Sequence, residues 1–439
     1  MTAFRFAPSP TGFLHVGNAR LAMINWLAAK KMGGRFILRL DDTDKERSTD
    51  AYADAIQADM KWLGLDFDSV EKQSDRLAAY DAAFDVLKAA GRVYACYETP
   101  QDLDRQRKIL RSQGKAPVYV PPDADKLQTF IDEGRQAHWR FKLAEGSIDF
   151  IDLVRGDVHF DTANLSDPVI RREDGSWLYM LPSAIDDADL DITHVVRGED
   201  HVANTALQVQ MFEALGKSVP TFAHLPLLTD LDGGGLSKRL GSLALQDLRA
   251  EGTEALALAC YLAHLGTSDD IKVEAGLQDL IDTFDFKNFS RATPKFDPSQ
   301  LARLNAQQLH ATDFSDVQNR LDADVSEDMW LAVRANIDTL KDVNIWQAIA
   351  NQDIDPVIDA DDADFLAEAA ELLPPEPWDE TTWGALTTAV KAATGRKGKG
   401  LFMPLRKALT GLEHGPELKV FLTLIGPDRA AVRLKGLRG

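Results

Sequence analysis

Two stretches of the chain carry residue types suited to holding phosphate. In RFAPSPTGFLHVGNAR, residues 5–20, Gly12, His15 and Gly17 stand where a loop gives way to a helix predicted by the spacing of Leu21, Ile24, Leu27 and Ala28. Unpaired backbone N–H groups and the helix dipole favour an anion at such a start, the glycines let backbone approach it, and His15 adds a side-chain donor. The same glycines suit a tight strand-to-helix turn with a satisfied histidine, so the loop alone leaves both readings open. In DLDGGGLSKRLGS, residues 230–242, three glycines precede Ser237, Lys238 and Arg239, a hydroxyl and two cations able to grip a polyphosphate whose charge changes during reaction. A solvated basic turn is the alternative. The G-x-x-x-x-G-K-[ST] spacing is absent, so this is not a P-loop.

These stretches need a scaffold. Phe4 and Phe6 alternate with polar or small neighbours and predict a strand, and RFILRL after Gly33-Gly34 predicts another, followed by a helix carrying Ile56, Met60 and Leu63. Strand, helix and strand in that order imply a parallel sheet with a right-handed crossover. From about residue 75 to 175 the pattern changes to helices, turns between Gly114 and Pro122, and short strands in HWRFKL and VHFD, which reads as an insertion. WLYMLPSAIDD and ITHVVRGEDH then read as the sheet resuming, with a helix from Ala203 to Leu215 and an apolar strand in AHLPLL. Beyond about residue 250 the chain reads as helical, with proline joints near Pro294, Pro298 and Pro374-Pro375. The fold class is α/β: a Rossmann-like parallel-sheet domain with an inserted α/β domain, followed by an all-helical C-terminal region.

Composition agrees with several domains, since 439 residues exceed one ordinary core. An apolar fraction of 45%, a charged fraction of 27% and no 20-residue apolar run exclude a membrane span. MTAFRFAPSP has neither a basic start followed by an apolar stretch nor an Arg- and Ser-rich amphipathic helix, which points to the cytoplasm. Two distant cysteines, Cys96 and Cys260, argue against a disulfide framework or a four-cysteine metal site and read as small apolar residues. A net charge of −20 disfavours indiscriminate nucleic-acid binding while permitting a local basic groove.

Taken together, PSPTGFLHVGN and LSKR in an interrupted parallel sheet closely resemble the HIGH and KMSKS signatures of class I aminoacyl-tRNA synthetases. RFAPSPTGFLHVGNAR with RLDDTDKERS resembles the glutamyl-tRNA synthetases in particular, and VVRGEDHVANT and GKGLFMPLRKALTG are similar to further segments of that family. The resemblance spans essentially the whole chain. It implies a catalytic domain at 1–75 and 176–245, an acceptor-binding insertion at 76–175, a stem-contact domain at 246–305 and an anticodon-binding domain at 306–439. The implied reaction is ATP-dependent ligation of L-glutamate to tRNA(Glu) for translation, through a glutamyl-adenylate whose glutamyl group passes to the 2′-hydroxyl of the terminal adenosine. No protein nucleophile is required, so the protein's task is alignment and charge neutralisation.

Residue by residue, the resemblance implies ATP contacts from Pro8, Ser9, Gly12, His15, Gly17, Asn18, Ser237, Lys238 and Arg239, with His15 and Lys238 catalytic and Mg²⁺ arriving with ATP. It implies glutamate contacts from Arg5, Ser9, Asp41, Tyr179 and Arg197: guanidinium forks suit the side-chain carboxylate, and Ser9 and Asp41 the amino end. In TGRKGKG, after a helix ending at Gly395, Arg396, Lys397 and Lys399 are expected on tRNA phosphate, an ordinary basic C-cap turn being the alternative. Asn18 replaces the second histidine of HIGH, Gly235 takes the first KMSKS position, and Asp41 stands where the family commonly has Glu, one methylene shorter, so its contact with the substrate ammonium is expected to be longer or through water. Asp42 and Asp44 read as capping or first-turn carboxylates of the helix beginning near Ser48. Some family members bind zinc in the insertion; here ACYETP offers Cys96 and Glu98, APVYVPPD offers no cysteine or histidine, and no structural zinc is expected. A monomer is expected, and a choice between tRNA(Glu) alone and tRNA(Gln) as well is left open. A shortened paralogue that modifies a tRNA base would lack the anticodon-binding domain, and a tRNA-binding regulator without catalysis would not need His15, Ser237 and Lys238.

Overall fold

In the structure, a computed structural model that describes residues 1–236 and 243–439, two compact units divide the chain: residues 1–248 with 258–297, and residues 249–257 with 298–439. Ser237, Lys238 and Arg239 lie outside the described residues. The first unit begins with β1 (Ala3–Phe6), buried at every position, and a loop into α1 (Val16–Lys31). Ala19, Ala22, Met23, Ile24, Leu27 and Ala28 are all buried, so α1 is held by burial around most of its circumference and not by one apolar stripe. β2 (Arg35–Leu40), α2 (Asp50–Trp62) and β3 (Ser69–Lys72) complete two strand–helix–strand units, with β1 parallel to β2 in the register Phe4 opposite Phe36.

The segment expected as an insertion divides between two sheets. After α3 (Leu77–Ala89) come β4 (Val93–Cys96), α4 (Pro100–Ser112), α5 (Ala124–Asp132), β5 (His138–Phe141), β6 (Ser147–Asp152), β7 (Gly156–Asp161) and β8 (Val169–Arg171). β4, β5 and β8 form a small antiparallel sheet, whereas β6 and β7 extend the main one, whose order is β3-β2-β1-β9-β10-β6-β7. β6 meets β10 where Asp152 faces Phe222, and the Leu153 N–H donates to the Phe222 carbonyl at 2.9 Å. A single-sequence boundary could not show that pairing, because the strand edge it completes belongs to residues 70 positions later.

WLYMLPSAIDD is a helix, α6 (Met180–Asp189), and not a resumed strand. Its apolar run fits either state when both faces are buried, and Pro182 falls in the first turn, where its missing N–H costs no helical bond. β9 (His194–Gly198), α7 (Val202–Ala214) and β10 (Thr221–Leu225) follow, and all five inner strands, β2, β1, β9, β10 and β6, are parallel. Asp42 and Asp44 do not cap α2: Thr49 does, its Oγ accepting from the Tyr52 N–H at 3.2 Å. Asp42 accepts from the Ser74 N–H and Oγ at 2.8 and 2.7 Å, and Asp44 pairs with Arg47.

The second unit contains only helical elements among its described residues, most of them from Pro298 onward. Its core packs Trp330, Leu386, Leu405, Phe421 and Leu422, with Trp346 edge-on to Phe421 at 5.6 Å. Cys96 and Cys260 are both free and buried.

Candidate active site

The carboxyl ends of β1, β2 and β9 open onto a cavity of about 400 Å³, where the sheet offers side chains to a ligand. It is lined by Arg5, Pro8, Ser9, Asn18, Arg39, Asp41, Tyr179, Ser183, Arg197 and His201, among others. A second cavity of about 220 Å³, lined by His15, Gly17, Asn18, Arg20, Leu225 and Leu236, shares Asn18, Leu21 and Leu227 with the first. Seven of the expected residues, Arg5, Pro8, Ser9, Asn18, Asp41, Tyr179 and Arg197, therefore surround one space, with Asn18 common to both and His15 and Gly17 beside the neighbouring one. Gly12 lines neither, and a Cβ there would meet nothing within 4 Å.

His15 is the N-cap of α1, and its Nδ1 accepts from the Gly17 N–H at 3.1 Å. With Nδ1 accepting, the neutral ring carries its proton on Nε2, which is left to donate. Surrounding protein holds the imidazole below the ordinary histidine value by desolvation, which favours that neutral form, although the residue is open to solvent. A Cβ on Gly17 would lie 3.0 Å from His15 Cε1, so glycine here admits the capping ring as much as any ligand.

Around the other end of the cavity the charges are buried and shared. Asp187 Oδ1 accepts from Arg5 Nε at 3.0 Å and from Arg39 Nη1 at 2.7 Å. Arg39 also grips Asp41 with two bonds, Nε to Oδ1 at 2.7 Å and Nη2 to Oδ2 at 3.1 Å, and donates to Ser183 Oγ at 3.0 Å. Burial pushes the Asp41 carboxyl up, against the pull of Arg39 and Arg5. Asp41 thus reaches the cavity already held, and the guanidinium of Arg39, absent from the sequence expectation, does the holding. Arg5 engages only Asp187 among the described residues, leaving its Nη groups to the cavity.

Arg197 differs from Arg39. It is 6% exposed, no carboxylate lies within ion-pair distance among the described residues, and burial lowers its pKa. Nη1 donates to the Tyr179 hydroxyl at 2.8 Å and Nη2 to Thr205 Oγ at 2.6 Å. Among the described residues, one N–H on each Nη is left over, the fork a carboxylate can bridge.

Two further expectations meet a more detailed picture. Arg396 is ion-paired with Asp362 and stacked over the Phe365 ring at 4.2 Å, while Lys397 and Lys399 are exposed. At the small antiparallel sheet, Cys96, Glu98 and His138 each offer one ligand atom within 4.8 Å of one another, and His138 belongs to HWRFKL, which the sequence shows as a strand and not as a source of ligands. Three ligands fall short of a closed zinc site, and the Tyr119 hydroxyl already links Glu98, at 2.7 Å, with the Cys96 sulfur, at 3.4 Å. Burial pushes the Cys96 thiol up to about 11, which keeps it protonated.

The sequence expectation missed Arg39, Ser183 and Asp187. Ser183 and Asp187 are four residues apart on α6 and share a face, a signal visible only once that segment is read as a helix.

Comparison with known proteins shows the family. Residues 2–303 match the family model for the catalytic domain of class I tRNA synthetases (E and Q), and residues 308–438 match an anticodon binding domain. A glutamate–tRNA ligase of Azospirillum brasilense is 54% identical over 99% of both chains, and one of Sphingopyxis alaskensis is 52% identical over 99% of both. The crystal structure of a glutamate tRNA ligase from Elizabethkingia meningosepticum in complex with its amino acid superposes with a TM-score of 0.84 at 26% identity, covering 99% of this chain and 98% of that one. The chain belongs to the glutamate–tRNA ligase family of class I tRNA synthetases.

Proposed function

We propose that the protein joins L-glutamate to tRNA(Glu) for translation, activating it with ATP as glutamyl-adenylate. The observation that carries this reading is the buried guanidinium of Arg197, a cation without an ion-paired anion among the described residues, in a cavity at the strand ends. An unpaired buried charge is costly, and a ligand carboxylate compensates it. Arg5, with its Nη groups turned loose beside it, is the second recognition group for the side-chain carboxylate, and the Tyr179 hydroxyl orients Arg197. Ser9 and Asp41 hold the amino end. Because Arg39 pins the shorter Asp41, we propose that its link to the substrate ammonium runs through water.

ATP takes the neighbouring cavity, with the Nε2–H of His15 and the N-terminal amides of α1 directed at phosphate, and Pro8, Gly12, Gly17 and Asn18 shaping the approach. Lys238, with Ser237 and Arg239, neutralises the leaving phosphates. Mg²⁺, supplied with ATP, would add to the charge neutralisation that Lys238 provides. Residues 76–175 receive the acceptor end, residues 246–305 touch the stem, and residues 306–439 read the anticodon, with Lys397 and Lys399 on phosphate and Arg396 joining them only if it leaves Asp362. The protein is proposed to act as a cytoplasmic monomer without structural zinc. No described helix is long and apolar enough to cross a membrane. Stoichiometric zinc in the purified protein would overturn that last assignment on the metal.

The deciding experiment is aminoacylation of purified tRNA(Glu) and tRNA(Gln), side by side, with glutamate and glutamine. Charging of tRNA(Glu) with glutamate is expected; no charging of either tRNA sinks the reading. Arg197→Gln should raise KM for glutamate and erode its preference over glutamine.

A further inference from the structure

Behind Arg197 lies a chain of buried polar groups. Arg197 Nε, which can only donate, faces His224 Nε2 at 3.3 Å, and Thr205 Oγ stands 2.8 Å from the same nitrogen. His224 Nε2 must therefore be the accepting nitrogen, and the ring proton sits on Nδ1. Nδ1 in turn lies 2.6 Å from Asp152 Oδ2. Asp152 Oδ1 accepts from the backbone N–H groups of Val154 at 2.9 Å, Arg155 at 2.8 Å and His224 itself at 3.2 Å, so the carboxylate is locked in orientation. His224 is fully buried and Asp152 is 2% exposed.

We propose that Asp152 and His224 are positioning residues for the amino-acid subsite: the carboxylate at the end of β6 fixes the tautomer of the imidazole on β10, whose accepting nitrogen fixes the guanidinium of Arg197. This inference rests on Arg197 as the group that reads the substrate carboxylate. The chain crosses three adjacent strands, β6, β10 and β9, so a strand from the segment expected as a separate insertion orients a side chain on the central sheet. The tautomer is the sensitive element. An amide at 152 can donate to Nδ1, which moves the ring proton to Nε2 and sets an N–H against the N–H of Arg197, the kind of wrong-tautomer effect known for carboxylate-to-amide changes behind a histidine.

The test uses the full chain with Asp152→Asn, His224→Gln, His224→Leu and Arg197→Gln. For D152N, KM for glutamate should rise by about tenfold or more while KM for ATP and tRNA stays within about twofold, and the preference for glutamate over glutamine should fall. Glutamine at 224 keeps an accepting oxygen, so H224Q should retain more glutamate affinity than H224L. Nitrogen NMR of labelled histidine should report His224 with an unprotonated Nε2 in the parent and a protonated Nε2 in D152N. If R197Q weakens glutamate binding but folded D152N does not, the relay is overturned and the reading of Arg197 survives. If R197Q itself leaves glutamate kinetics unchanged, both fall. Should D152N fail to fold, equal glutamate KM values for H224Q and H224L overturn the relay, and a lower value for H224Q supports it.

Discussion

The cations of the cavity at the strand ends and those of the basic turn at residues 394–400 have the same chemistry and opposite settings. Arg5, Arg39 and Arg197 are 4%, 0% and 6% exposed, and each is aimed by fixed partners from elsewhere in the sheet and its helices. Lys397 and Lys399 are exposed, and Arg396 is spent on Asp362. In a low-dielectric cavity an oriented guanidinium discriminates between ligands, because an unmatched charge cannot be rescued by water. At the surface, a lysine contributes attraction that salt screens and that any phosphate satisfies. On the proposed function, specificity and affinity for a long anion are separated into these two kinds of site.

The strongest way to break this contrast is to remove a shared anion from the cavity. Asp187→Ala leaves Arg5 and Arg39 facing each other without their common oxygen, and a loss of about 3–5 kcal/mol in urea unfolding is expected for an uncompensated buried charge. A loss under about 1 kcal/mol would mean that the pair is far better solvated than its burial implies. Lys238→Ala should next cost ~2–4 kcal/mol in the barrier to adenylate formation, the range for removing one preorganised charge. Normal ATP–pyrophosphate exchange with tRNA present would count against its role.

An intermediate case sharpens the comparison. Asp102, at the start of α4, accepts from the Thr99 N–H at 3.0 Å and hydroxyl at 2.8 Å, and from Arg135 at 2.7 Å. These bonds hold its carboxyl down at about 2. A depressed native pKa means stability that is fully present above the unfolded value near 4 and is lost as pH falls towards 2. Asp102→Asn should be less stable than the parent at pH 7, and the gap should close across that acid window; a gap constant with pH would show that the charge is irrelevant. The smallest effects belong to the surface turn. Lys397→Ala and Lys399→Ala should each flatten the dependence of log K for tRNA on log salt by roughly one contact's worth, without changing glutamate kinetics. Arg396→Ala should flatten it less, since its charge is already paired.

Much of the scaffold was legible along the chain. Phe4 and Phe6, RFILRL, ITHVVRG and the helix after His15 appear as β1, β2, β9 and α1, because alternation, turn residues and capping act over a few residues. The misread segment, WLYMLPSAIDD, was one where burial on all sides erases the period that distinguishes helix from strand. That single misreading also hid Ser183 and Asp187, which meet Arg39 from one face of α6.

By itself, the order of residues determined the local elements, the phosphate-suited helix start at His15 and the residue types Arg5, Asp41, Tyr179 and Arg197 that line the cavity. Only the tertiary structure decided which charge serves which. Arg39 and Asp187 are 148 positions apart and His224 and Asp152 are 72 apart, and β6 had to join the central sheet before the second pair could exist. Hydrogen bonds reach about 3 Å whatever the separation in sequence, so partnerships of this kind are written by the packing of strands and helices and not by spacing along the chain.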